Sequence, residues 1–128
     1  MHEKEIEIRW SDVDAYGHVN NAVFLTYLEE ARDEWLERAL GPQGDAWDYV
    51  IARVEIDFRR ELTLEDDRVL ARCGLDSLGT SSLRTREELL TRGGATAAEA
   101  QAVLVARDRA TRRSRPLEER ERAALERA

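Results

Sequence analysis

One helical stripe followed by four alternating stretches leaves this chain few ways to fold. Phe24, Leu25, Leu28, Ala31, Trp35, Ala39 and Leu40 recur at steps of three and four residues, the period of one helix face. Asn20 and Asn21 stand where an N-cap belongs, and Gly41-Pro42 marks the stop. At about 1.5 Å per residue the helix from about Ala22 to Leu40 spans roughly 28 Å, enough to cross a small sheet.

The other segments read with period two. Ile6, Ile8 and Trp10 alternate with Glu5, Glu7 and Arg9 as a half-buried strand, and Ser11 to His18 reads as a loop. Beyond the helix, alternation runs through Tyr49 to Glu61, where Val50, Ala52, Val54, Ile56 and Phe58 share one face. It resumes in Arg68 to Leu75, Ser82 to Leu90 and Ala97 to Asp108. Turn-forming Leu78 to Ser81 and Arg92-Gly93-Gly94 join the last three as hairpins. Ala98, Ala100 and Ala102 form a row of small side chains suited to a close-lying helix. Arg112 to Ala128 is densely charged, and Pro116, Leu117 and Leu125 suit a marginal helix or a frayed tail. Strand, loop, long helix and four strands together predict an α+β domain, an antiparallel sheet wrapped on one buried helix.

At 128 residues the chain can bury one core without metal or disulfide staples. Acidic residues outnumber basic ones 27 to 20, for a net charge of -7. That balance opposes general affinity for nucleic acid or an anionic membrane. The lone cysteine, Cys73, sits in phase with Val69, Ala71 and Leu75 as a core thiol. No internal disulfide is available, no signal-peptide core opens the chain, and no apolar run approaches the roughly 18 residues of a membrane span. A cytoplasmic protein is the expectation. The two histidines, His2 and His18, pair with no cysteine at ligand spacing, so no metal is expected.

Chemistry concentrates in the loop before the helix, which carries Asp12, Asp14, Tyr16, His18, Asn20 and Asn21. A helix start offers unpaired N–H groups and a partial positive charge, suited to a carbonyl oxygen becoming an oxyanion. Asp14, His18 and Asn21 are close enough in sequence to surround one such carbonyl, which points to acyl transfer, a thioester being a reasonable target. The same residues also suit plainer roles: Asp12 and Asp14 as turn formers, Asn20 and Asn21 as caps, and His18 as a partner for a loop carbonyl.

The stretch Arg9-Trp10-Ser11-Asp12-Val13-Asp14-Ala15-Tyr16-Gly17-His18-Val19-Asn20-Asn21-Ala22, continued by Tyr27 to Arg32, resembles the hot-dog-fold acyl-CoA thioesterases related to 4-hydroxybenzoyl-CoA thioesterase. Arg53 to Arg60 and Ala100 to Val105 resemble that family's second and last strands. His18-Val19-Asn20-Asn21 is also similar to a motif of plant acyl-ACP thioesterases. The resemblance covers about residues 5 to 115. It implies a hot-dog domain over 1–115, with 116–128 as a charged tail or short helix.

By the same resemblance the fold is a five-stranded antiparallel sheet around the central helix, in a homodimer or a dimer-of-dimers tetramer with its site at the subunit interface. Asp14 is implied as the catalytic carboxylate, nucleophile or base, with His18 assisting and Asn21 at the helix start; Asp12 shapes the loop. Tyr16 and Asn20 fall among the substrate-binding candidates. Arg59, Arg60, Arg84 and Arg86 are candidates for the CoA phosphates, and Ser81 and Ser82 for facing the thioester from a neighbouring subunit. The implied activity is hydrolysis of an acyl-CoA substrate to CoA and a carboxylic acid, with no cofactor beyond the substrate's CoA. A non-catalytic acyl-CoA-binding protein and an acyl hydratase or dehydratase are the alternatives.

Overall fold

The computed structural model describes all 128 residues. Strand β1 (His2–Glu7) is followed by helix α1 (Asn21–Leu40), then β2 (Tyr49–Phe58), β3 (Arg68–Leu78), β4 (Ser82–Thr91), β5 (Thr96–Ala106) and helix α2 (Glu119–Arg127). The strands form one sheet in the order β1-β3-β4-β5-β2, every neighbour antiparallel. β1 and β2 are therefore the two edges. This is the five-stranded α+β arrangement expected from the alternation.

α1 packs chiefly across β1, β3 and β4. Its buried stripe is Phe24, Tyr27, Leu28, Ala31, Arg32, Trp35, Leu36 and Leu40, so the helix is rotated slightly from the reading above: Leu25 is exposed and Tyr27 and Leu36 take its place. Burying each large apolar side chain contributes about 1.5–3 kcal/mol. Gly41 at φ +51° caps the helix, and Gly94 at φ +91° closes the β4–β5 turn, both in conformations that a side chain disfavours. Ala98, Ala100 and Ala102 are buried.

Two strand readings are corrected. β1 ends at Glu7 and Trp10 begins a 3₁₀ turn, Trp10–Asp12, so Trp10 leaves the buried face and stands 82% exposed. In β2 the pairing with β5 shifts between Ile51 and Arg53, and the extra residue of this bulge, Ala52, breaks the alternation. Tyr49 and Ile51 therefore share the inner face with Val54, Ile56 and Phe58, while Val50 turns outward.

Beneath α1 lies a buried ion pair that alternation alone does not announce. Arg32 Nε and Nη2 donate to the two Glu87 carboxylate oxygens at 2.8 and 3.0 Å, and Thr85 Oγ1 donates to Glu87 at 2.6 Å. Burial favours a neutral guanidine, but the fork of bonds to Glu87 outweighs it and holds Arg32 above its ordinary range. Burial, reinforced by the Glu87 charge, pushes the neighbouring Cys73 thiol up, consistent with an inert core residue.

The C-terminal segment is pinned in a similar way. Leu117, Ala124 and Leu125 are buried, and α2 packs on α1. Arg115 grips the buried Glu121 carboxylate at 2.7 and 3.0 Å, and the Tyr49 hydroxyl donates to it at 2.5 Å. Burial alone would raise the Glu121 carboxyl; the bonds from Arg115 and Tyr49 and from the Glu118 N–H reverse that and bring it to about 2. A depressed carboxylate stabilises the fold above its unfolded value of 4.5 and loses that contribution as pH falls toward 2. Acid titration of thermal unfolding should show this loss between about pH 4.5 and 2, and Glu121→Gln should flatten that part of the curve. A Gln variant with the parent's acid profile would remove Glu121 from the account.

Candidate active site

The loop between β1 and α1 is built tightly. Ile8 N–H bonds the Asp67 carbonyl at 2.8 Å and ties the strand exit to the start of β3. Asp12 is buried; its Oδ2 accepts from the Tyr27 hydroxyl at 2.6 Å and from the Arg9 N–H at 3.0 Å. Burial pushes the Asp12 carboxyl up, and the bonds from Tyr27 and Arg9 pull it down further, leaving it below the usual range. Asp12 thus fastens the loop to the helix.

Val13 and Val19 form an isolated antiparallel bridge, so residues 14–18 make a small closed turn. Asp14 N–H bonds the His18 carbonyl at 2.9 Å, and Gly17 N–H bonds the Asp14 carbonyl at 3.0 Å with Gly17 at φ +83°. Asp14 Oδ1 accepts from the Tyr16 N–H at 2.9 Å, an Asx turn, while Oδ2 accepts nothing from the protein. Asp14 is thus a turn former through Oδ1, and its other carboxylate oxygen is left without a partner in the chain.

The turn leads directly into α1. Asn20 is the N-cap: its Oδ1 accepts from the Ala22 N–H at 2.8 Å and its carbonyl from the Val23 N–H at 2.8 Å. The Asn21 N–H is left without a partner at the positive end of a 20-residue helix. A carboxylate oxygen with spare lone pairs and an unpaired helix N–H are the parts needed to attack or hydrate a carbonyl and to hold the resulting oxyanion.

His18 Nε2 lies 2.8 Å from Glu61 Oε2, both side chains substantially exposed. The Val19 N–H bonds the Leu62 carbonyl at 2.7 Å, which clamps the segment after β2 onto the loop. Glu61 was not among the sequence candidates. Its signal is its place directly after Phe58-Arg59-Arg60, but no short-range pattern links it to a loop some 40 residues earlier. Tyr16 is 86% exposed, as open as Trp10, and Phe24 meets Phe58 edge-on with ring centres 5.3 Å apart. Trp10 and Tyr16 leave exposed aromatic surface on the loop itself.

The remaining candidates are dispersed. Arg59 already faces Glu99 at 3.1 Å and Asp57 at 3.6 Å, Arg86 faces Asp76 at 3.1 Å, and Arg84 donates to Gln101 at 3.2 Å. Arg60 is exposed and has no acidic partner. Ser81 and Ser82 sit at the β3–β4 turn, whereas Asp14 lies beside the other end of the sheet, where β3 begins and β2 ends. One chain does not bring these serines to Asp14. A cleft of about 800 Å³ lies away from the loop, lined by Met1, His2, Trp35, Leu40, Leu75 and Ala124 among others. In a single chain Asp14 is half-buried and residues 15–18 are exposed.

The sequence pattern of the Thioesterase-like superfamily matches residues 8–125. The chain belongs to this superfamily. It is 30% identical over 127 residues to the long-chain acyl-CoA thioesterase FadM of Escherichia coli (strain K12), covering 97% of this chain and 96% of FadM. It is also similar to a thioesterase of Thermus thermophilus solved with coenzyme A and zinc, with TM-score 0.86, 35% identity, and coverage of 96% of this chain and 90% of that one. A predicted thioesterase of Bacillus stearothermophilus superimposes with TM-score 0.88 and 27% identity, over 98% of this chain and 93% of that one. Membership confirms the hot-dog fold and a thioesterase-family enzyme. The superfamily match extends to residue 125, so it takes in most of α2. No helix is long and apolar enough to cross a membrane.

Proposed function

We propose that this superfamily member hydrolyses an acyl-CoA thioester to CoA and a carboxylic acid at the Asp14 loop. The observation that carries the reading is the division of labour on Asp14: Oδ1 is tethered to the Tyr16 N–H, Oδ2 accepts no bond within the chain, and the loop runs directly into the start of α1, whose first N–H is unpaired. Similarity to FadM and to a thioesterase solved with coenzyme A supports the substrate class.

Acting as a base, Asp14 takes a proton from water while the hydroxide oxygen bonds to the carbonyl carbon. Acting as a nucleophile, Oδ2 bonds to that carbon directly and water later cleaves the mixed anhydride. In both routes the carbonyl oxygen becomes an oxyanion facing the Asn21 N–H, and the C–S bond breaks to release CoA thiolate, which takes up a proton. A thioester needs no further activation of its leaving group. His18, held by Glu61, assists at the loop's rim, Tyr16 borders the acyl entrance, and Asn20 fixes the helix start. Arginines free of acidic partners, Arg60 first among the candidates, receive the CoA phosphates. The protein works as a homo-oligomer in which Ser81 and Ser82 of a neighbouring copy face the thioester.

The test is a panel of acyl-CoAs incubated with purified protein, with free thiol and enoyl hydration both recorded. Thiol release with saturable kinetics is expected. Binding without release would favour an acyl-CoA-binding protein, and formation of hydroxyacyl-CoA without thiol would favour a hydratase.

A further inference from the structure

We propose that the cleft at the far end of α1 is a second ligand site, built to hold an apolar monocarboxylate, a straight-chain fatty acid in its ionised form. The cleft alone gives this chemistry; that such an acid is also the product of this protein's own reaction rests on the thioesterase reading.

The cleft lies where the last turns of α1 and α2 meet the start of β1 and the later half of β3. Its volume of about 800 Å³ falls in the range of ligand pockets, roughly 300–1,000 Å³. Half of its fourteen lining residues are apolar; among them Trp35, Leu40 and Ala124 are buried and Leu75 is half-buried. Walls of this kind suit a hydrocarbon chain. Trp35 stands fourteen residues after Asn21, about 21 Å along the helix, so the cleft and the Asp14 loop occupy opposite ends of α1.

Charge decides the other end of the ligand. None of the lining residues is acidic, in a chain where acidic residues outnumber basic ones 27 to 20. Arg38 and Arg127 stand on the walls. Arg127 is exposed and has no acidic partner. Arg38 lies 3.2 Å from Glu34, but that carboxylate already receives Lys4 at 2.7 Å and His2 at 3.0 Å, so one negative charge is shared among three basic groups. Both arginines also occupy the last turns of their helices, where they offset the macrodipoles; that role requires no apolar hollow beside them. An anion whose charge adjoins an apolar chain satisfies both features at once. A fatty carboxylate has that form. An intact acyl-CoA does not, because its thioester is neutral where the acyl chain begins and its phosphates lie far from that point.

Binding is read at Trp35 itself. Trp10 and Trp47 are 82% and 84% exposed, whereas Trp35 is 4% exposed, so replacing the first two by Phe should spare the fold and leave Trp35 as the one indole. The probes are ω-bromododecanoate, whose bromine quenches indole fluorescence only near contact, and its neutral counterpart ω-bromododecanol. Saturable quenching by the carboxylate is expected. With Arg38→Gln and Arg127→Gln added, both at exposed side chains, the carboxylate should bind about tenfold more weakly while the alcohol changes less than about twofold. An unquenched Trp35 would overturn the site. Equal losses for the two probes, or a loss for neither, would overturn the carboxylate assignment.

A displacement assay separates free acid from thioester. In the Asp14→Asn background, where the thioester is expected to persist, dodecanoate should displace the bromo acid and dodecanoyl-CoA should do so at least about tenfold less well. Equal displacement by the CoA ester would make the cleft a substrate site and sink the proposal. Should the parent release no CoA from any thioester, the thioesterase reading fails while quenching of Trp35 still decides the second site.

Discussion

Replacing Asp14 by Asn is expected to lower turnover of acyl-CoA by about 10²–10⁴-fold, the range set by loss of a positioned base or nucleophile. The fold should hold, because the Asn side-chain oxygen can still accept the Tyr16 N–H that Asp14 Oδ1 accepts at 2.9 Å. What disappears is the charge and basicity of the other oxygen. Thiol release measured beside a thermal melt separates the two effects. Turnover near the parent's, with the melt unchanged, would leave Asp14 only its turn-forming part.

The second large effect concerns stability. Glu87→Ala should destabilise the fold by about 3–5 kcal/mol, because it strands the Arg32 guanidinium, 3% exposed, without its counter-charge. A domain of this size should melt roughly 10 °C or more lower. Arg32→Met combined with Glu87→Leu removes both charges and should recover most of that loss, since a buried pair recoups little beyond its own desolvation. Chemical denaturation of the parent, the single variants and the double variant checks this. A Glu87→Ala variant as stable as the parent would mean that water or another group reaches Arg32.

The elements were legible because their signals are local. The stripe from Phe24 to Leu40 and the alternation after Tyr49 each lie within one element, and caps such as Asn20 and Gly41 stand at its ends. The errors arose where a neighbour in space decides. Ala52 is bulged because of its pairing with β5, and Trp10 leaves the strand because Asp12 is drawn down to Tyr27. Arg32 and Glu87 were each in phase with a buried stripe, Arg32 between Leu28 and Leu36 and Glu87 between Thr85 and Leu89. Only their meeting across helix and sheet makes burial tolerable, and that meeting is invisible in either segment alone.

The site divided along the same line. Asp14, Asn20 and Asn21 lie within eight residues, so the turn, the cap and the open helix start could be anticipated together. Glu61 reaches His18 only because Val19 and Leu62 clamp two distant segments. Arg59 and Arg86 face Glu99 and Asp76, partners that nothing in their own strands announces. Sequence marks a charge but does not say which opposite charge has already claimed it.

The most direct test of the account is the crystal structure of the Asp14→Asn variant soaked with an acyl-CoA that it turns over too slowly to consume. The thioester carbonyl carbon should lie in contact with the residue-14 side chain, with its oxygen directed at the Asn21 N–H. A thioester bound elsewhere, in the cleft at the far end of α1 for example, would contradict it.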